Sequence, residues 1–205
     1  MDLEKLQQKL EHRRPSILGS EHFLKYAILI PIVQKQDELH LLFEVRASTM
    51  RRQPGEVCFP GGRIEEGDKN EQEAAIRETA EELGISSNKI TNVQPLDYFV
   101  SPFGMIIYPY VGFIEEAEIF PNQEEVERVF TVPLSYLLHN PPKTFEMNYE
   151  VKPADDFPYH LIPGGENYNF RQRPLSEYFY EYNSDVIWGL TGRVLKHFID
   201  VIQKD

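Results

Sequence analysis

The sequence predicts an α+β fold, a layered sandwich rather than a doubly wound parallel sheet. Two observations carry that expectation. Segments of strand length and strand pattern greatly outnumber helical ones, and the two kinds follow one another in mixed order. A third observation locates the chemistry: a Gly-rich turn at Gly61-Gly62 runs into a short helix that stacks Glu78, Glu81 and Glu82.

Taken in order, Leu3, Leu6 and Leu10 recur at helical spacing and predict a helix over residues 2–13. Tyr26–Val33 is an apolar, Ile-rich run of strand length. Gln34–Glu38 reads as a polar turn and Leu39–Val45 as the returning strand of a hairpin. Residues 47–56 hold Pro54 and Gly55 and form a loop. Val57–Phe59 is a short strand. The acidic helix follows over residues 71–83, with Asn70 and Glu73 forming a capping box and Gly84 a C-terminal cap. Strands are expected at Asn92–Val100, Met105–Ile114, Val126–Val132, Phe145–Val151 and Leu175–Tyr182. Pro133–Leu138 forms a short helix, since Pro suits a first helical turn. A final helix opens at Asp185. Residues 153–174, rich in Pro, Gly and Tyr, read as an insertion within one domain spanning 1–205.

The chain has 205 residues and a net charge of −12. So acidic a chain lacks the clustered cations that nucleic-acid binding needs, so no nucleic-acid partner is expected. No apolar run approaches the roughly 20 residues of a membrane span, so no membrane partner is expected either. The single cysteine, Cys58, rules out an internal disulfide and reads as a buried structural thiol. The N-terminus is charged and amphipathic, and the closing Ile-Gln-Lys-Asp is not a peroxisomal or retention address. Together these predict a cytoplasmic protein. The six histidines show no metal-ligand spacing, which argues against zinc. The Tyr and Phe residues between 157 and 182 suit core packing, while stacking on a base, a lid and a homodimer face stay open.

Glu78, Glu81 and Glu82 stand at i, i+3 and i+4, so they are neighbours on the helix surface and repel. A hard divalent cation takes oxygen ligands of this kind. On a helical wheel, Ile76, Thr79, Ala80 and Leu83 fall opposite the carboxylates and can pack on a sheet. Ala74 and Ala75 lie one turn before the carboxylates, where their small side chains would leave room for a bulky ligand. Arg77 can pair with Glu73 and Glu81 at i±4. The other reading of the triplet is a solvated acidic face.

Gly62, Asp68 and the run Arg77-Glu78-Thr79-Ala80-Glu81-Glu82-Leu83-Gly84-Ile85 closely resemble the Nudix hydrolase signature. The resemblance implies an α/β/α sandwich with a mixed central sheet and a loop–helix–loop metal site. It implies Glu78, Glu81 and Glu82 as ligands of magnesium or manganese, with Arg77 orienting them. Two departures stand out. Asp68 replaces the usual Glu, and the spacer before Arg77 is one residue longer. Upstream, Leu41–Ser48, Arg51, Gly55 and Phe59-Pro60-Gly61-Gly62 resemble the second motif of the coenzyme A diphosphatase branch. Ile187–Arg193 resembles that branch too. The substrate so implied is coenzyme A, cleaved to 3′,5′-ADP and 4′-phosphopantetheine. Arg46, Arg51, Arg52, Gly61 and Gly62 are the expected substrate-binding residues, because Arg forks suit phosphate. For the general base, Glu78 stands beside Glu124, Glu125 and Glu127, with Glu125 preferred among the last three. Other diphosphates, such as ADP-ribose, a dinucleotide or a nucleoside triphosphate, would use the same metal chemistry. A non-catalytic nucleotide-sensing module would be expected to lose the metal carboxylates, and all three are present.

Overall fold

A computed structural model describes residues 2–115 and 117–204. Met1, Glu116 and Asp205 of the expected 1–205 span lie outside the described residues. Helix α1 (Leu3–Glu11) is capped by Asp2, whose carboxylate accepts from the Lys5 N–H, and it buries no residue. Strands β1 (Leu24–Lys35) and β2 (Glu38–Arg46) form the expected hairpin, with Gln36 and Asp37 at positive φ in the turn. Then come β3 (Val57–Cys58), β4 (Gly61–Arg63), α2 (Glu71–Leu83), β5 (Ile90–Pro95), β6 (Phe99–Ser101) and β7 (Met105–Ile114). The chain closes with β8 (Val126–Pro133), α3 (Leu134–His139), β9 (Lys143–Tyr149), β10 (Arg173–Tyr182), β11 (Asp185–Ile187) and α4 (Gly189–Ile202).

The main sheet runs β3-β2-β1-β7-β5, with β4 on β1, β6 on β7 and β8 on β2. It is mixed: β1 pairs parallel with β7 and antiparallel with β2 and β4. Strand β1 is buried through its middle, at Ala27 and Leu29 to Ile32, as a strand covered on both faces should be. Its alternation assigns the two faces. Ile30 and Ile32 pack with Leu195, Phe198 and Ile199 of α4, while Leu29 packs with Leu83 at the end of α2. Strand β2 repeats the division, with Leu41, Phe43 and Val45 on the α4 side and Leu42 on the α2 side. Helices therefore cover opposite faces of a mixed sheet, as the sandwich requires.

Three sequence expectations are corrected. The final helix does not open at Asp185. Residues 185–187 pair antiparallel with Tyr182, Glu181 and Tyr180, and the helix starts at Gly189. The predicted strand over 92–100 is two strands, interrupted at residues 96–98. Ala74 and Ala75 leave no room for a ligand. Both are fully buried against Ala27 of β1, so their small side chains bring α2 close to the sheet. The candidate insertion, expected over 153–174, falls in residues 150–172, which join β9 to β10 with only two 3-10 turns, Tyr159–Leu161 and Gly165–Asn167; residues 173 and 174 already belong to β10. There Phe157, Tyr159, Tyr168 and Phe170 pack edge-to-face on one another rather than in the main core. The core reading holds for Tyr180, which is buried, and Tyr178 packs against the same core.

Leu195 is fully buried between α4 and the sheet. Leu195→Ala should lower unfolding free energy by about 2–5 kcal/mol in urea titration. A loss under about 1 kcal/mol would contradict this assignment of the core.

Candidate active site

Helix α2 is held at both ends. Asn70 caps it, its side-chain oxygen accepting from the Glu73 N–H at 2.9 Å. The expected capping box is only half made, because the Glu73 carboxylate accepts from the Lys69 N–H at 2.6 Å instead. Gly84 ends the helix at φ 63°, and its N–H donates to the Ala80 carbonyl. A Cβ at Gly84 would collide with the Phe120 carbonyl. That close approach lets the Phe120 and Asn122 N–H groups donate to the last carbonyls of the helix, Leu83 and Glu82, at 3.0 and 2.9 Å. The same segment continues into Glu125.

Gly61 and Gly62 lie beside the helix, as expected. The Gly61 N–H donates to Glu82 Oε2 at 2.7 Å. A Cβ at Gly62 would occupy the space of the Glu78 carboxyl group. Arg77 spans the helix N-terminus: Nε and Nη2 grip Asp68 at 2.9 and 3.0 Å, while Nη1 reaches Glu78 at 2.9 Å and Glu81 at 3.3 Å. The expected pair with Glu73 is absent, because Lys69 holds that carboxylate. Asp68 thus acquires a definite role in the longer spacer, as the acceptor of the Arg77 fork. Its hydrogen bonds from Arg77 and the Glu65 N–H hold its carboxyl below the usual range.

The three helix carboxylates do not share one environment. The Glu81 side chain is 60 % exposed, whereas Glu82 is 5 % exposed and tucked against the sheet. Burial pushes the Glu82 carboxyl well up, and the charges of Glu44, Glu78 and Glu125 push the same way. Glu78 is also raised, first by desolvation and against the pull of Arg77. Glu125 acts on Glu44, Glu78 and Glu82 alike, so its charge lies within reach of the whole cluster. Of the acids at 124, 125 and 127, it is the one that acts on all three.

Arg46 ends β2 and its charge acts on Glu44. The 47–56 loop is tied at its base by Arg46 N–H to the Glu56 carbonyl, Gly55 N–H to the Arg46 carbonyl and Ala47 N–H to the Glu125 carbonyl. Arg51 and Arg52 stand exposed in that loop, and the Arg52 carbonyl accepts from Arg46 Nε at 3.4 Å.

Sequence reasoning assigned no role to Glu44. It is 1 % exposed in the middle of β2, on the Leu42 side that faces α2. The available signal was a single carboxylate inside the apolar run Leu41-Leu42-Phe43-Glu44-Val45. Cys58 is not an inert filler either: its thiol donates to Glu44 Oε1 at 3.1 Å. Burial and the Glu44 charge push that thiol well up, so it stays protonated and donating.

Among the described residues no three acidic, His or Cys side chains converge at ligand spacing. The contacts explain this: Arg77 takes Glu78 and Glu81, and Gly61 takes Glu82. The donor set nonetheless fits a hard divalent cation. It consists of carboxylate oxygens, several desolvated, and one buried oxygen, Glu44 Oε2, has no partner among the described residues.

A Gly-rich turn clasping an acidic helix over a mixed sheet defines the Nudix class of domain. The NUDIX domain family matches residues 24–154, and the chain belongs to that family. It is 35 % identical over 139 residues to mouse peroxisomal coenzyme A diphosphatase NUDT7, across 67 % of this chain and 58 % of that protein. It is 39 % identical over 107 residues to the Caenorhabditis elegans peroxisomal coenzyme A diphosphatase ndx-8, across 51 % of this chain and 46 % of that one. The chain thus spans about half the length of these two relatives. A MutT/nudix family protein from Enterococcus faecalis superposes over 100 % of this chain and 71 % of its own, with TM-score 0.53 and 16 % identity, a likeness of fold.

Without metal, Glu82 should make stability fall with pH. Its folded carboxyl is raised from 4.5, so its contribution is fully present below about pH 4.5 and is lost as pH rises toward the folded value. In chelator, melting temperature should fall from pH 5 to pH 8, and Glu82→Gln should flatten that slope and melt above the parent at pH 8. Parallel wild-type and variant curves would refute the burial of an ionisable Glu82.

Proposed function

We propose that the chain hydrolyses the diphosphate of coenzyme A or its thioesters, giving 3′,5′-ADP and 4′-phosphopantetheine or its acyl form. The observation that carries this reading is the clasp of Glu78 and Glu82 by the Gly61–Gly62 turn, which gathers desolvated carboxylates beside the arginine-bearing loop. The names of the mouse and nematode relatives support coenzyme A as the substrate.

Glu78, Glu81 and Glu82 would hold magnesium or manganese. When bound, such a cation supplies a Lewis acid that neutralises charge on the diphosphate oxygens. Arg77 holds Glu78 and Glu81 on one side of the helix. Gly61 and Gly62 would present backbone groups to the substrate, while the space their side chains would fill is taken by β1 and by the Glu78 carboxyl group. Arg46, Arg51 and Arg52 offer guanidinium forks to the phosphates. Glu125 accepts the proton of the attacking water, the water oxygen bonds to phosphorus, and the bridging P–O bond breaks to release the second phosphate. Glu78 suits this role less, because Arg77 occupies one of its oxygens. We read residues 1–205 as one such domain, acting in the cytoplasm on a small molecule.

Purified protein with coenzyme A and magnesium or manganese should yield both products by chromatography. Glu82→Gln should abolish turnover, and Glu125→Gln should lower kcat by about 10²–10⁴-fold. No products from the parent protein would overturn the reading. Faster turnover of ADP-ribose or 3′-dephospho-coenzyme A would move the substrate elsewhere within the family.

A further inference from the structure

Glu44 breaks the pattern of its strand. Leu41, Leu42, Phe43 and Val45 around it are buried apolar residues, as a strand covered on both faces demands. A carboxylate there loses its water and must be repaid by donors. The protein supplies almost none. Oε1 receives only the Cys58 thiol, a weak donor, at 3.1 Å. Oε2 is fully buried and has no hydrogen-bond partner among the described residues. The backbone is pinned on both edges, Glu44 pairing with Cys58 of β3 and Val129 of β8, so the side chain cannot swing out to water by moving its strand. Period-2 alternation points it toward α2, where Glu82 is also almost fully buried. Glu82 uses one oxygen on the Gly61 N–H, and its other oxygen accepts from no donor among the described residues.

We propose that Glu44 is a further metal-ligating carboxylate, forming with Glu82 an inner cation position on the sheet side of α2. The inference rests on the reading of α2 as a divalent-cation helix and adds a ligand from the sheet that the helix motif does not contain. Two buried carboxylates that each spend one oxygen on a protein donor and keep the other open are the ligand chemistry of a hard cation, which takes oxygens and neutralises both charges at once. Arg77 does not compete for this position, since its contacts lie with Asp68, Glu78, Glu81 and the Arg63 carbonyl. Cys58 is a positioning residue: by holding Oε1 it fixes the carboxyl plane and leaves Oε2 for the ion. Outer partners of this kind commonly alter metal affinity by about 10–100-fold when removed.

The test is manganese binding to the full chain without substrate, followed by electron paramagnetic resonance. Wild type should bind more tightly than Glu44→Gln by at least about tenfold, or hold one more ion. Glu44→Asp, which keeps the charge but draws it back by one methylene, should also weaken binding. Cys58→Ala should weaken binding and leave the ion count unchanged. Glu44→Gln that binds as many manganese ions as the parent, with affinity within about twofold, while Glu82→Gln is impaired, would overturn the proposal. Wild-type binding by both Glu78→Gln and Glu82→Gln would instead overturn the cation reading of α2. The melting temperature in chelator shows that each variant is folded, and Glu44→Gln should melt no lower than the parent because it removes a buried charge.

Discussion

Helix α2 lies so close to the Gly61–Gly62 turn that the second glycine has no space for a side chain. That spacing is set from below. Ala27, Ala74 and Ala75 are fully buried in one layer, and nothing larger would let the helix sit so near β1. The turn is fixed from the side, because β4 pairs with β1 through Ile28–Gly61, Ala27–Gly62 and Tyr26–Arg63. Strand β1 thus sets both the height of the helix and the position of the turn. The Gly61–Glu82 hydrogen bond and the Gly62–Glu78 contact follow from that single arrangement.

The electrostatic character of the site follows from the same closeness. Approach to the sheet desolvates Glu82 and leaves Glu81 in water, although the two are consecutive in sequence. Arg77 cannot neutralise the whole group, because two of its three nitrogens go to Asp68 and none reaches Glu82. What remains near the sheet is an excess of buried negative charge, with Arg46 as the local cation that acts on it. A protein interior does not tolerate such an excess without compensation by protons or cations.

The fold was legible where a single period dominates. Strands β1, β2 and β7 and helix α2 sit within a few residues of the expected ranges, because each buries a regular apolar pattern. The last helix was misplaced because Val186, Leu190 and Val194 keep helical spacing across the β11–α4 junction, and only pairing with β10 shows where the strand stops. The helical wheel gave the angles of α2 correctly but not the arc that faces the sheet. Ala74 and Ala75 therefore read as ligand space when they are contact surface. Glu78, Glu81, Glu82 and Arg77 were visible because their spacing is local. Glu44 was not, because its meaning depends on which element lies above it and on its Oε2 having no donor among the described residues. Glu125 was already preferred among its acidic neighbours, and the hydrogen bonds from Phe120 and Asn122 to the end of α2 supply the physical reason for its nearness.

The loop between β2 and β3 is knotted at its neck and open at its tip. Three backbone hydrogen bonds close the base, and one of them ties it to the segment that carries Glu125. The tip, with Arg51 and Arg52, hangs beyond that clamp. Under the proposed function, substitutions there would alter what is gripped and leave the acids beneath in place. Such a joint would let recognition evolve quickly on a frame that stays fixed, much as a tool head can be exchanged on an unchanged handle.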